Sequence, residues 1–148
     1  MEFRSAYAHG FARVAAATLP VALAQPQANA DAILTVAREC HAESVALAVF
    51  PELCLSGYSL DDLFLQDPLL DATLDALQAL VDGSRDLMPV LVVGAPLRQG
   101  NRLFNCAVII HRGAILGVAP KAYVPTYREF YERRHFAPGD DQRGGAIR

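Results

Sequence analysis

Two unbroken apolar runs, Val45 to Phe50 and Val90 to Ala95, constrain this fold more than any other feature of the chain. Each is too short for a buried helix, is rich in valine, and lacks the polar alternation of a strand with one wet face. Each therefore reads as a strand covered on both faces. A helical pattern fills the space before the first run, with Asn29 as its expected N-cap and Ala30, Ile33, Leu34, Ala37 and Cys40 on one stripe. Between the runs, Ser59 with Asp62 forms a Ser-x-x-Asp helix start. Asp67 with Pro68 starts a second helix, followed by Leu70, Leu74, Leu77 and Val81 and closed by Gly83. Strands alternating with helices in this way predict an α/β fold with a parallel sheet.

Beyond Pro96 the pattern changes. Gln99 to Asn101 and Arg112 with Gly113 are turn sequences that separate two further strands, Leu103 to Ile110 and Ala114 to Ala119, which read as an antiparallel meander. From Pro120 onward the chain is polar, aromatic and punctuated by Pro125 and Pro138, and is expected to leave the core and not return to it. Near the N-terminus, Val14 to Ala24 is apolar behind Arg4 and Arg13, with small residues at Ala28 and Ala30 in the manner of a cleaved signal. Pro20 in its middle, and its place ahead of the first helix, make it the first strand instead.

Composition narrows the functional classes. With 148 residues, 53% of them hydrophobic, the chain has material for one domain with a real core. Thirteen basic against sixteen acidic side chains, a net charge of −3 and no basic cluster argue against nucleic acid as a partner. No apolar stretch approaches the roughly 20 residues of a membrane helix. Cys40, Cys54 and Cys106 are too few and too far apart for a disulfide framework and form no CxxC pair, which suits a reducing, cytoplasmic setting. His9, His41, His111 and His135 show no metal-ligand spacing, and neither a P-loop nor a GxGxxG is present, so no metal or cofactor is expected on this chain.

Glu52 and Lys121 are the candidates for chemistry. Glu52 follows a fully apolar strand, where open α/β sheets place their ligand sites, and a partly desolvated carboxylate there can serve as a base. A strand-end glutamate that caps a loop amide reads the same way. Lys121 follows the last strand and is fixed by Pro120; it can offer a positive charge to a developing oxyanion, although its position taken alone favours a solvated lysine. Cys54 and Cys106 have the chemistry of nucleophiles but sit in apolar surroundings that favour buried structural thiols. Tyr123, Tyr127, Phe130, Tyr131 and Phe136 fall among Arg128, Glu129, Glu132, Arg133 and Arg134. That mixture suits a charged surface loop, a pocket wall or a subunit contact.

The segments VFPELCLSGYS (Val49 to Ser59) and PKAYVPTYREFYERRHFAPGD (Pro120 to Asp140) resemble the glutamate and lysine blocks of the nitrilase, or carbon-nitrogen hydrolase, superfamily. KAYVPTYREFYERRHFAPG, SGYSLDDLFLQD and SAYAHGFARVAAAT narrow the resemblance to the glutaminase domains of actinobacterial glutamine-dependent NAD(+) synthetases. The resemblance implies an αββα sandwich and a Glu-Lys-Cys triad in which Glu52 is the general base and Lys121 stabilises the oxyanion. It places Tyr127 against the glutamine substrate, with Tyr58 and Phe130 on the pocket wall. In the family the nucleophilic cysteine follows the lysine block, and none of the three cysteines here does. Residues 1–148 are therefore expected to be the N-terminal half of such a domain, without the nucleophile and without the synthetase domain to which ATP and magnesium belong. The resemblance further implies L-glutamine as substrate and a homo-oligomeric intact protein. Such a fragment is expected not to turn over, and to be of low stability because half a sheet leaves apolar edges unpaired. An amidase of another substrate and a non-catalytic α/β interaction module are the alternatives.

Overall fold

The computed structural model describes residues 5–141. A five-stranded sheet runs in the order β1 (Val14–Ala16), β2 (Leu47–Val49), β3 (Val90–Gln99), β4 (Arg102–His111), β5 (Ala114–Pro120). The first three strands are parallel and the last two add antiparallel pairs, as the alternation and the two turn sequences predict. The helices α1 (Pro26–Ala42) and α2 (Asp67–Gly83) supply the two parallel crossovers. Because the strands advance in one direction, right-handed crossovers bring both helices to the same face, where they pack side by side.

That face is the core. Ile33, Ala37, Leu77 and Leu80 of the helices meet Ala48, Leu91, Val93, Val108 and Ile110 of the sheet. The opposite face has no helix among the described residues. Val14 and Val49 on it are exposed, and Leu47, Val90, Val92 and Ile109 are half-buried. The helical layer and one sheet of the expected sandwich are thus in place, with an apolar second face.

Several local expectations are corrected. Asn29 does not cap α1: Gln25 stands at that position and Pro26 opens the helix. Asn29 is instead buried within the first turn, where its Oδ1 accepts from the Ala22 amide at 2.8 Å and its Nδ2 donates to the carbonyls of Ala22 and Leu55. It ties two loops to the helix start. Ser59 and Asp62 start no α-helix; a 3-10 turn spans Asp61–Leu65, with Leu60 before it. On α2 the inward position falls to Thr73, whose hydroxyl returns to the Leu69 carbonyl at 2.8 Å, while Leu74 is exposed. Gly94 and Pro96 do not end β3, which continues to Gln99. The Val90 amide and the Val92 and Gly94 carbonyls bond toward the β2 side, and Pro96 shares their parity. Its missing N–H therefore points where β2 has already ended, and the ladder to β4 is intact.

The segment after Pro120 also returns to the core, contrary to its polar appearance. Val124 and Phe136 are buried with Leu53, Leu60, Phe64, Leu69, Leu70 and Leu103 in a second cluster. The Ala137 amide donates to the Leu103 carbonyl at 2.8 Å, and the Gly139 amide to the Lys121 carbonyl at 2.9 Å. Two apolar anchors within a charged sequence are enough to fold it back.

Candidate active site

β2 ends at Val49, and the chain then turns sharply through Pro51 to Gly57, with the Gly57 amide donating to the Leu53 carbonyl at 2.7 Å. This turn lies directly on β3 at Gly94. A Cβ there would come within 2.3 Å of the Leu53 nitrogen and 2.6 Å of the Pro51 carbonyl oxygen, so only glycine allows the approach. The Leu55 amide bonds to the Gly94 carbonyl and locks the arrangement. Glu52 is thereby held at the C-terminal end of the parallel strands.

Lys121 arrives from the far edge of the sheet. It follows β5, and its amide donates to the Asn105 carbonyl of β4 at 2.8 Å, which carries the ladder one residue further. Its ammonium donates to Oε1 of Glu52 at 2.6 Å. The Asn105 side chain donates to the same oxygen at 2.5 Å. Strand ends sixty-nine residues apart in sequence thus converge on one carboxylate.

Lys121 has a second carboxylate partner, Glu132, which opens the one-turn helix α3 (Glu132–His135). Its ammonium lies 3.0 Å from Oε1 and 2.9 Å from Oε2 of Glu132. The Tyr58 hydroxyl donates to that Oε1 at 2.8 Å. Glu132 is only 5% exposed, whereas the Glu52 side chain is 43% exposed. Glu52 is thus more solvated than the partly desolvated carboxylate expected from its place after an apolar strand. Desolvation lowers the Lys121 pKa, but the hydrogen bonds and charges of Glu52 and Glu132 outweigh it, and the net shift is upward. Lys121 is therefore a fixed ammonium, suited to donate hydrogen bonds and unsuited to act as a base. Burial first, then the bond to Glu132 and the charges of Glu132 and Glu52, also raises the Tyr58 pKa.

The site residues read from the sequence separate into two groups. Glu52 meets Lys121 directly, and Tyr58 joins them through Glu132. Tyr127 is 64% exposed and joins Phe130 in an edge-on ring contact, 5.9 Å between centroids, on the loop that precedes α3. Beside Tyr58 and Glu132 lies a cavity of about 190 Å³ walled by Leu53, Phe64, Tyr131 and Phe136. Asn105 and Glu132 were not among the sequence candidates. Asn105 carried a signal, a lone amide in the apolar strand Leu103 to Ile110; Glu132 was masked by the arginines that follow it.

The cysteines belong to the core. Cys54 and Cys106 are 1% and 2% exposed, and burial pushes their thiols up to about 11 and about 12. Cys40 is buried on α1, and burial, then the Glu39 charge, raises its pKa as well. None is available as a thiolate near neutrality. Among the described residues no grouping of His, Cys, Asp and Glu fits a metal ion, and no helix is long and apolar enough to cross a membrane.

A carboxylate and an ammonium at converging strand ends, each held by a second polar partner, can move a proton and stabilise an oxyanion. The profile of the carbon-nitrogen hydrolase family matches residues 13–147. This chain belongs to that family.

Within the carbon-nitrogen hydrolases, its relatives include the glutamine-dependent NAD(+) synthetases of Mycobacterium tuberculosis, 64% identical, and Mycobacterium leprae, 58% identical, each over 97% of this chain. The chain spans 21% of the length of these relatives. Among solved structures, a glutamine-dependent NAD(+) synthetase from Cytophaga hutchinsonii superposes with a TM-score of 0.82 over 89% of this chain and 22% of its own. At 23% identity that likeness shows the shared fold. The five-stranded mixed sheet is therefore a nitrilase-type sheet.

Proposed function

We propose that this chain carries the general base and the oxyanion cation of a glutamine amide hydrolase, and that its reaction needs a cysteine thiolate from protein outside these residues. The observation that carries the reading is the Lys121 ammonium lying 2.6 Å from Glu52 and about 3 Å from Glu132. Attack of the thiolate on the side-chain amide carbon places negative charge on the carbonyl oxygen, and the fixed ammonium of Lys121 stabilises it. Glu52 first takes the thiol proton and returns it to the departing nitrogen, so ammonia leaves and a thioester remains. Water, deprotonated by Glu52, then adds to the thioester carbon; the carbon–sulfur bond breaks, glutamate leaves and Glu52 returns the proton to the thiolate. Asn105 and Lys121 both donate to Oε1 of Glu52, which leaves Oε2 to carry the proton.

Residues 1–148 are, in this reading, part of an N-terminal glutaminase domain in a homo-oligomeric, cytoplasmic protein. The ammonia is used by a synthetase domain for the ATP-dependent amidation of deamido-NAD. Support comes from the 64% identity to synthetases of that name. ATP and magnesium, in this reading, belong to that domain.

Ammonia release tests the reading. The 148-residue chain is expected to release none from L-glutamine, while the longest reading frame containing it hydrolyses L-glutamine in preference to asparagine or propionamide and loses that activity in Glu52→Gln. Turnover by the 148 residues alone overturns the need for an outside thiolate. Equal rates on all three amides overturn glutamine as the substrate.

A further inference from the structure

Glu132 sits on a helix too short to hold itself. A single turn has no cooperative stability of its own, so the position of α3 must come from outside it. Local bonds give the segment its internal shape: the Glu132 amide donates to the Pro125 carbonyl at 3.1 Å and the Arg133 amide to Thr126 Oγ1 at 3.2 Å. Beyond Tyr58, Lys121 and the Ala137 amide on the Leu103 carbonyl, lateral anchors come from the 3-10 turn Asp61–Leu65. Phe64 packs against the rings of His135 and Phe136, 5.7 and 4.9 Å between centroids. Asp62 takes Nε and Nη2 of Arg134 on its two oxygens at 2.8 and 2.9 Å, a two-pronged contact that fixes orientation as well as distance. Nε2 of His135 lies 3.3 Å from the same carboxylate.

We propose that Asp62 is a positioning residue for the candidate site, gripping the end of α3 so that Glu132 stays on Lys121. The inference rests on Lys121 being the cation of the site. Asp62 and Arg134 are both more than half exposed, and an exposed ion pair adds little to stability. Its effect is therefore geometric. The Ser-x-x-Asp sequence that resembles a helix start serves as a clamp between segments 72 residues apart.

Lys121 is the only lysine in the chain, so a protein labelled with [13C]-lysine gives one side-chain titration that reports the site directly and needs no turnover. In Asp62→Asn, the Lys121 titration is expected to move down, toward the ordinary lysine range, with the thermal melt almost unchanged. Asp75→Asn, the same charge change on an exposed face of α2, leaves the titration in place. Ile33→Val, a trim in the core, lowers the melt without moving Lys121. The exchanged pair Asp62→Arg with Arg134→Asp restores the starting titration and serves as the deciding variant should Asp62→Asn fold poorly. A Lys121 titration that is the same in Asp62→Asn as in Asp75→Asn overturns the proposal, and so does an exchanged pair that does not restore it. Failure of the glutamine reading would show in the ammonia assay and leave this result standing.

Discussion

Beneath α1 and α2, Ile33, Leu80, Leu91, Val93, Val108 and Ile110 are wholly or almost wholly excluded from water. The segment from Lys121 to Asp141 buries the side chains of Val124, Glu132, His135 and Phe136, and its polar contacts with the rest of the molecule include Lys121 with Glu52, Glu132 with Tyr58, Arg134 with Asp62 and Arg102 with Asp141. The first region is held by area removed from water, which is non-directional and insensitive to pH. The second adds to its few apolar anchors a set of charged hydrogen bonds, which specify geometry and depend on protonation. The candidate chemistry lies on the seam, with Glu52 supplied by the first region and Lys121 and Glu132 by the second. A scaffold that contributes stability and a strap that contributes orientation can therefore be perturbed separately.

The largest effect should come from the scaffold. Leu91→Ala, at a fully buried position of the central strand, is expected to reduce unfolding free energy by about 2–5 kcal/mol in urea titrations. A loss well under 1 kcal/mol would mean that the sheet is not the cooperative unit. Gly94→Ala comes next, because its Cβ would meet backbone that cannot move away cheaply. Its expected destabilisation is about 1–3 kcal/mol. Unlike Leu91→Ala, it should also displace Glu52 and lower the Lys121 titration; two variants with identical effects on Lys121 would erase the distinction between the regions.

Acid should release the strap before the scaffold. Hydrogen bonds from Arg134, then His135, hold the Asp62 carboxyl at about 2, below the ordinary carboxylate value of 3.8. A depressed carboxyl contributes its stabilisation above the ordinary value and loses it as pH falls through that value toward 2. Three of the five tyrosines, Tyr123, Tyr127 and Tyr131, lie on the strap, so tyrosine fluorescence is expected to change in this window ahead of the helical circular dichroism. Coincident loss of both signals would contradict separate regions. The smallest effect is expected at Glu43→Gln, which removes an exposed pair with Arg13 at the solvent end of α1 and should leave the melt unchanged within error.

The scaffold was legible because its determinants are local and apolar. Unbroken runs gave β2 and β3, helical stripes gave α1 and α2, and turn residues gave the β3–β4–β5 meander. Several of the errors fell on polar residues whose partners come from elsewhere in the fold. Asn29 and Asp62 have the chemistry of helix caps, and only tertiary structure directs them to Ala22 and Leu55 or to Arg134. Glu52 and Lys121 were visible by their positions after strands, but their contact depends on the sheet order that brings β2 and β5 to one crevice. Glu132 was hidden because a buried carboxylate beside two arginines reads as a solvated charge run. The return of Val124 and Phe136 to the core was hidden by the same charged surroundings.

The titration of the chain's single lysine tests the central claim most directly. A Lys121 titration above the ordinary range that moves down in Glu52→Gln, and further down when Glu132→Gln is added, is the predicted result. An ordinary titration that neither substitution moves would show that Glu52, Lys121 and Glu132 do not form one site.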